Sequence, residues 1–148
     1  MLQNHFEYIA KKVHPNEIDT YFYNYFNEVF PKVKQLIKDR WKKGQKPDGS
    51  KIGLYSCYSY SVFKEKLNPL AGFGIVDLTL TGGLGDKITF GLLSDTEYMI
   101  FSTDEKYNNI IEKYGDWNFN ITQKERNEIV AEITKKVVNE ILKIAYYE

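Results

Sequence analysis

The chain has one cysteine, Cys57, and two histidines, His5 and His14. A cysteine nucleophile needs a base beside it to form the thiolate. Both histidines stand in the first fifteen residues, so neither is placed by local sequence next to Cys57. The expectation is a partly buried thiol beside Tyr55 and Tyr58. Two histidines nine residues apart do not make a metal site. The segment Thr81-Gly-Gly-Leu-Gly-Asp-Lys-Ile-Thr89 has the glycines of a phosphate loop. That loop needs Gly-Lys followed directly by Ser or Thr, so that amides, ammonium and hydroxyl converge on phosphate and metal. Here Asp86 precedes Lys87 and Ile88 follows it, and a hairpin turn is the expectation. Gly72-Phe-Gly74 lacks the third glycine of a dinucleotide loop. Asp48, Asp86, Asp95 and Asp116 fall in turns, where aspartate caps its own backbone. Asp77 is expected to face solvent with Ile75 and Thr79. No two carboxylates are paired by spacing for acid–base work. The residues therefore imply no catalytic group, metal or cofactor, and the expectation is a protein that is not an enzyme.

The 148 residues carry 20 Lys+Arg against 20 Asp+Glu, a formal net charge of zero. That excludes a surface devoted to nucleic acid, but the charges are segregated. Residues 32–51 hold eight basic side chains against two acidic, a net of +6. Residues 95–116 hold six acidic against two basic, a net of −4. Such a dipole suits head-to-tail contact between copies, basic face to acidic face. The basic run by itself also suits phosphate contacts on DNA. Tyr, Phe and Trp make up 16% of the chain, with Tyr 12 times. Tyrosine suits surfaces that are wet before assembly and covered after it.

The elements follow from periodicity. Residues 1–15 read as an N-terminal arm, with a possible turn over Phe6–Val13, and His5, Glu7, Lys11 and Lys12 break any signal-peptide core. Residues 16–148 read as a single α+β domain. Ile18, Phe22, Tyr25, Val29, Val33, Leu36 and Ile37 form a helical stripe that keeps phase across Pro31. Asn16 is the expected N-cap and Gly44 the C′ residue. Residues 44–72 form a long loop that opens on the turn Lys46-Pro47-Asp48-Gly49, with a short helix expected over Tyr58–Leu67. Phe73–Leu80, Lys87–Leu93 and Glu97–Ser102 read as an antiparallel meander. Asp104–Tyr114 is a short helix closed by Gly115. Thr122-Gln-Lys-Glu125 is a capping box that opens a last helix striped by Ile129, Ile133, Val137, Ile141 and Leu142. The predicted fold is a small antiparallel sheet of three or four strands, packed by a long N-terminal helix and a C-terminal helix. The sheet's free edges invite strand pairing with another copy. No apolar run reaches the ~18 residues of a membrane helix, so no membrane partner is expected.

Four short motifs occur in order: Lys46-Pro47-Asp48-Gly49-Ser50-Lys51-Ile52-Gly53 with Tyr55-Ser56; Val76-Asp77-Leu78-Thr79-Leu80-Thr81-Gly82-Gly83-Leu84; Ile100-Phe101-Ser102-Thr103-Asp104; and Glu112-Lys113-Tyr114-Gly115. This order resembles the neck and tail-completion proteins of tailed bacteriophages, most of all versions from crAss-like phages of gut Bacteroidales. The chain departs from them at Gly83 and Gly85-Asp86, where a larger polar or aromatic residue usually follows Thr-Gly. The resemblance implies a virion structural protein, assembled in the host cytoplasm and located in the tail or neck. It implies a homo-oligomeric ring of 12 or 6 copies, in contact with the portal or adjacent neck and tail ring proteins, close to DNA in the channel, and with no catalytic residues. Lys43, Lys46, Asp48, Tyr55, Tyr58, Leu84 and Asp86 are the expected subunit-interface residues. The alternative is a small DNA-contacting phage protein that uses residues 32–51. A small enzyme of unknown class is the third reading.

Overall fold

The computed structural model describes residues 13, 15–79, 82–94 and 97–147. The expected arm and the Asp95-Thr96 turn lie outside the described residues, apart from Val13 and Pro15. The fold is α+β, with a long N-terminal helix, a two-stranded antiparallel sheet and a C-terminal helix. The chain divides into two compact units, residues 1–31 with 123–148, and residues 32–122.

Helix α1 spans Pro15–Lys42 as one helix through Pro31. It starts one residue before the expected cap. Pro15 stands in the first turn, where a missing N–H costs nothing. Asn16 is thus inside the helix, and its carbonyl accepts from the Thr20 hydroxyl at 2.8 Å. In the first unit, residues 15–31 of α1 run antiparallel to the C-terminal helix, Gln123–Tyr147. Lys136 pairs with Glu28 at 3.0 Å, and the Tyr25 hydroxyl donates to Glu140 at 3.0 Å. Ile129, Ile133 and Val137 recur every four residues and are buried. Leu142, expected in the stripe, is exposed, as are Val130 and Val138 beside it.

In the second unit, Val33, Ile37 and Trp41 of α1 are almost wholly buried. The indole N–H of Trp41 donates to the Asn118 carbonyl at 2.9 Å. Its ring meets Phe119 edge-on with centroids 5.1 Å apart, and Phe119 meets Tyr107 at 4.8 Å. Helix α1 ends as foreseen at Gly44. The Gln45 N–H bonds the Arg40 carbonyl at 3.0 Å and the Gly44 N–H bonds that of Trp41 at 2.9 Å. This is the two-bond glycine stop, and Gly44 has φ +65°. A Cβ there would also sit 2.5 Å from the Ile75 side chain, so glycine is required twice over.

Three expectations for the middle of the chain are corrected. The sheet has two strands, β1 (Ile88–Ser94) and β2 (Glu97–Ser102), paired with Ile88 opposite Ser102 and Leu92 opposite Tyr98. Phe73–Thr79, the described part of the expected strand Phe73–Leu80, is not a third strand. It makes one antiparallel bridge, Leu54 to Ile75, flanked by bonds from Tyr55 N–H to the Gly74 carbonyl and from Val76 N–H to the Gly53 carbonyl. Gly72 and Gly74 take positive φ, and the neighbours Val76 and Asp77 are both buried, which strand alternation forbids. The glycine-rich segment is likewise no simple turn. After Gly82 in the left-handed region, Gly83–Asp86 makes one helical turn, α3. Lys34 and Lys38 of α1 fix it, Lys34 on the Asp86 carbonyl and Lys38 on its carboxylate at 2.6 Å.

Helix α2 is Tyr58–Leu67, as expected. Helix α4 is Tyr107–Tyr114 and stops at Gly115, but starts three residues late because the Asp104 carboxylate caps the Lys106 N–H at 3.0 Å. A 3-10 turn, Asp116–Phe119, replaces the loop expected there and buries Asn118 and Phe119.

Candidate functional site

Helix α2 departs from the usual amphipathic pattern. The residues it buries are Ser61 and Lys64. Tyr58, Phe63 and Leu67 face outward, with Leu54, Leu70 and Phe73 from the flanking segments. Tyr58 is 75% exposed and Leu70 is 70% exposed. Lys64, by contrast, is only 4% exposed.

The cause is Asp77. Its carboxylate is buried, and all four of its acceptor positions are used. The Lys64 ammonium and the Tyr55 hydroxyl (3.0 Å) reach Oδ1. The Asn68 amide (2.6 Å) and the Thr79 hydroxyl (2.9 Å) reach Oδ2. Asn68 spends its second N–H on the Lys42 carbonyl at 2.7 Å, which ties the end of α2 to the end of α1. Burial pushes the Asp77 carboxyl up, but Lys64, Asn68 and Thr79 outweigh it and hold the group below the ordinary carboxylate range. Burial, reinforced by the Asp77 charge, raises the Tyr55 hydroxyl well above its ordinary value, so it stays a donor. A buried ion is tolerated only when paired and hydrogen-bonded. That requirement turns Ser61 and Lys64 inward and leaves Tyr58, Phe63 and Leu67 exposed. The expectation that Asp77 faces solvent is thereby corrected.

At roughly 200 Å² for a whole large apolar residue, these six side chains together expose on the order of 700 Å². Aromatic contacts set Tyr58 against Phe73 at 5.5 Å and Tyr60 against Phe63 at 6.0 Å on the helix. Cys57 precedes it at the N-cap. Its thiol is exposed, not partly buried, because it stands ahead of the helix, and the Ser59 hydroxyl at 3.2 Å lowers its pKa.

The seven residues singled out in the sequence fall on different elements. Tyr55 is half-buried, edge-on to Tyr60 at 4.9 Å, and Tyr58 is exposed at the start of α2. Lys43 is exposed just after α1. Lys46 and Asp48 belong to the next turn, where Asp48 accepts from the Ser50 N–H at 2.9 Å and hydroxyl at 2.6 Å. Leu84 is buried on α3, and Asp86 is held by Lys38. Sequence reasoning missed Leu54, Phe63, Leu67, Leu70 and Phe73, and the Lys64–Asp77 pair beneath them. No periodic signal in α2 marked them, since Lys64 and Leu67, three residues apart, are neighbours on the helix surface although one is buried and the other exposed. The chain matches no family model, no curated protein and no solved structure.

Proposed function

We propose that this chain is a non-enzymatic assembly subunit, a virion structural protein that forms a homo-oligomeric ring in the portal-proximal neck or tail of a bacteriophage. One observation supports it above the others: α2 buries Ser61 and Lys64 and leaves Tyr58, Phe63 and Leu67 exposed, on a base fixed by the buried Lys64–Asp77 pair. Large apolar side chains left in water cost free energy that a partner covering them would recover. A rigid base limits the ordering cost of covering them. The segregated charges, +6 over residues 32–51 and −4 over residues 95–116, suit a repeated contact of fixed register. The second reading, DNA contact through residues 32–51, draws on exposed Lys42, Lys43 and Lys51. Against it, Lys34, Lys38 and Arg40 of the same run bond within the chain.

The test is the purified protein alone and with portal, examined by light scattering after gel filtration and by negative-stain microscopy. Closed rings are the expected result. A protein that stays monomeric in both settings sinks the reading. A salt-dependent complex with duplex DNA, lost on Lys42→Glu/Lys43→Glu/Lys51→Glu, moves the assignment to the second reading.

A further inference from the structure

We infer that Lys64 and Asn68 are the two ends of a self-made cross-link, an amide from the lysine Nζ to the asparagine Cγ, with Asp77 as the proton relay. The buried ion pair described above is the state before that bond forms. The inference is independent of the ring reading and needs no second molecule.

Three constraints hold the partners together. Lys64 and Asn68 are four residues apart at the end of α2, with the Asn68 N–H on the Lys64 carbonyl at 2.8 Å, so they are neighbours on the helix surface. Asp77 then binds both side chains, the Lys64 ammonium on Oδ1 and the Asn68 amide nitrogen on Oδ2 at 2.6 Å. The two nitrogens thus flank one carboxyl group. The Lys42 carbonyl takes the other Asn68 N–H at 2.7 Å, which fixes the orientation of the amide. The lysine and aspartate side chains are almost wholly buried, so bulk water is kept from the amine. Reactants held in this way gain much of what a second-order encounter would have to supply. The sequence also closes the usual alternative. A side-chain amide is ordinarily lost to attack by the backbone N–H of the next residue, and residue 69 is proline, which has none. Lys64 supplies the amine instead.

The step balances. The Lys64 ammonium gives a proton to the Asp77 carboxylate, and the free amine attacks Cγ of Asn68. Asp77, in contact with both nitrogens, hands the protons that Lys64 sheds to Nδ2. The Cγ–Nδ2 bond breaks and the nitrogen leaves as ammonium. Of the three hydrogens on the Lys64 ammonium, one stays on the new amide and two depart with Nδ2. Asp77 ends as the carboxylate it began as, and nothing is oxidised or reduced. Lys64, Asn68 and Thr79 hold Asp77 ionised, the form that can take the proton. Burial opposes the charge separation in the pair and so favours its transfer. Escape of the ammonium into bulk water makes the bond one-way.

The test is mass spectrometry of the full chain, fresh and after warm incubation at neutral pH, with a tryptic digest. Trypsin cuts after Lys66, between the partners, and does not cut after an acylated Lys64. The cross-link therefore appears as residues 52–66 joined to residues 67–87 in one branched peptide, lighter than the two together by one ammonia. Its share should grow with time in the wild type. Lys64→Arg keeps the cation but has no amine to acylate, and should show none. Asp77→Asn should slow the growth by roughly 100-fold or more. Wild type labelled with heavy nitrogen at its asparagine side chains should release labelled ammonium in step with the branched peptide, a readout that needs no variant to fold. Absence of the branched peptide from aged wild type overturns the proposal. A link from Lys64 to Asp77 instead, seen as the loss of one water, or an unchanged rate in folded Asp77→Asn, also overturns it.

Discussion

Asp77→Ala will destabilise the protein by about 3–5 kcal/mol, because it leaves the Lys64 ammonium buried without its partner. Lys64→Met will cost a similar amount for the opposite reason, stranding the carboxylate. The double variant Lys64→Met/Asp77→Leu removes both charges and keeps apolar volume, so it should recover most of the loss. Urea unfolding followed by far-ultraviolet circular dichroism measures all three. Asp77→Ala within ~0.5 kcal/mol of the wild type would mean that the pair does not hold α2. The pH dependence has a fixed sign. The native carboxyl lies below its ordinary value, so its contribution is complete above the unfolded pKa of about 3.9 and is lost as pH falls through the lower native pKa. Asp77→Asn should therefore flatten the acid limb of the stability curve below about pH 4. An unchanged acid limb would show that other carboxylates govern it.

Trp41→Ala is the second large expectation, again about 3–5 kcal/mol. The side chain is almost wholly buried, packs edge-on to Phe119, and its N–H satisfies the Asn118 carbonyl. Trp41→Phe keeps most of the apolar contact but leaves that carbonyl without its donor, which should cost a smaller ~1–3 kcal/mol. Thermal unfolding by circular dichroism ranks the two. Equal losses would show that the hydrogen bond, not the ring volume, carries the site.

Where structure follows from near neighbours, the sequence was readable. The α1 stripe, the Gly44 stop, the Lys46–Ser50 turn, the β1–β2 pairing and the Gly115 stop all depend on residues within a few positions of one another. The failures share a cause. Ile75, Asp77 and Thr79 alternate with Val76 and Leu78 as in a strand. Asp77 is instead drawn inward by Lys64, thirteen residues earlier on a helix, and a buried ion pair leaves no periodic trace in either segment. Gly83–Asp86 reads as a turn until Lys34 and Lys38, about fifty residues away, clamp Asp86. The candidate face was half visible. Tyr55 and Tyr58 are among the expected interface residues, whereas Phe63 and Leu67 carry no expectation beyond the short helix Tyr58–Leu67. Only the partner of Lys64 decides which side of that helix is inside.

The side chains left exposed on and beside α2 also set how any binding to them responds to temperature. Covering apolar surface lowers the heat capacity, by about 0.45 cal/mol/K for each Å². For the ~700 Å² around Tyr58 and Leu70, that is roughly −0.3 kcal/mol/K from this side alone. Complexes made through it should tighten on warming from near freezing and loosen on ice. Titration calorimetry at a series of temperatures would read that slope directly.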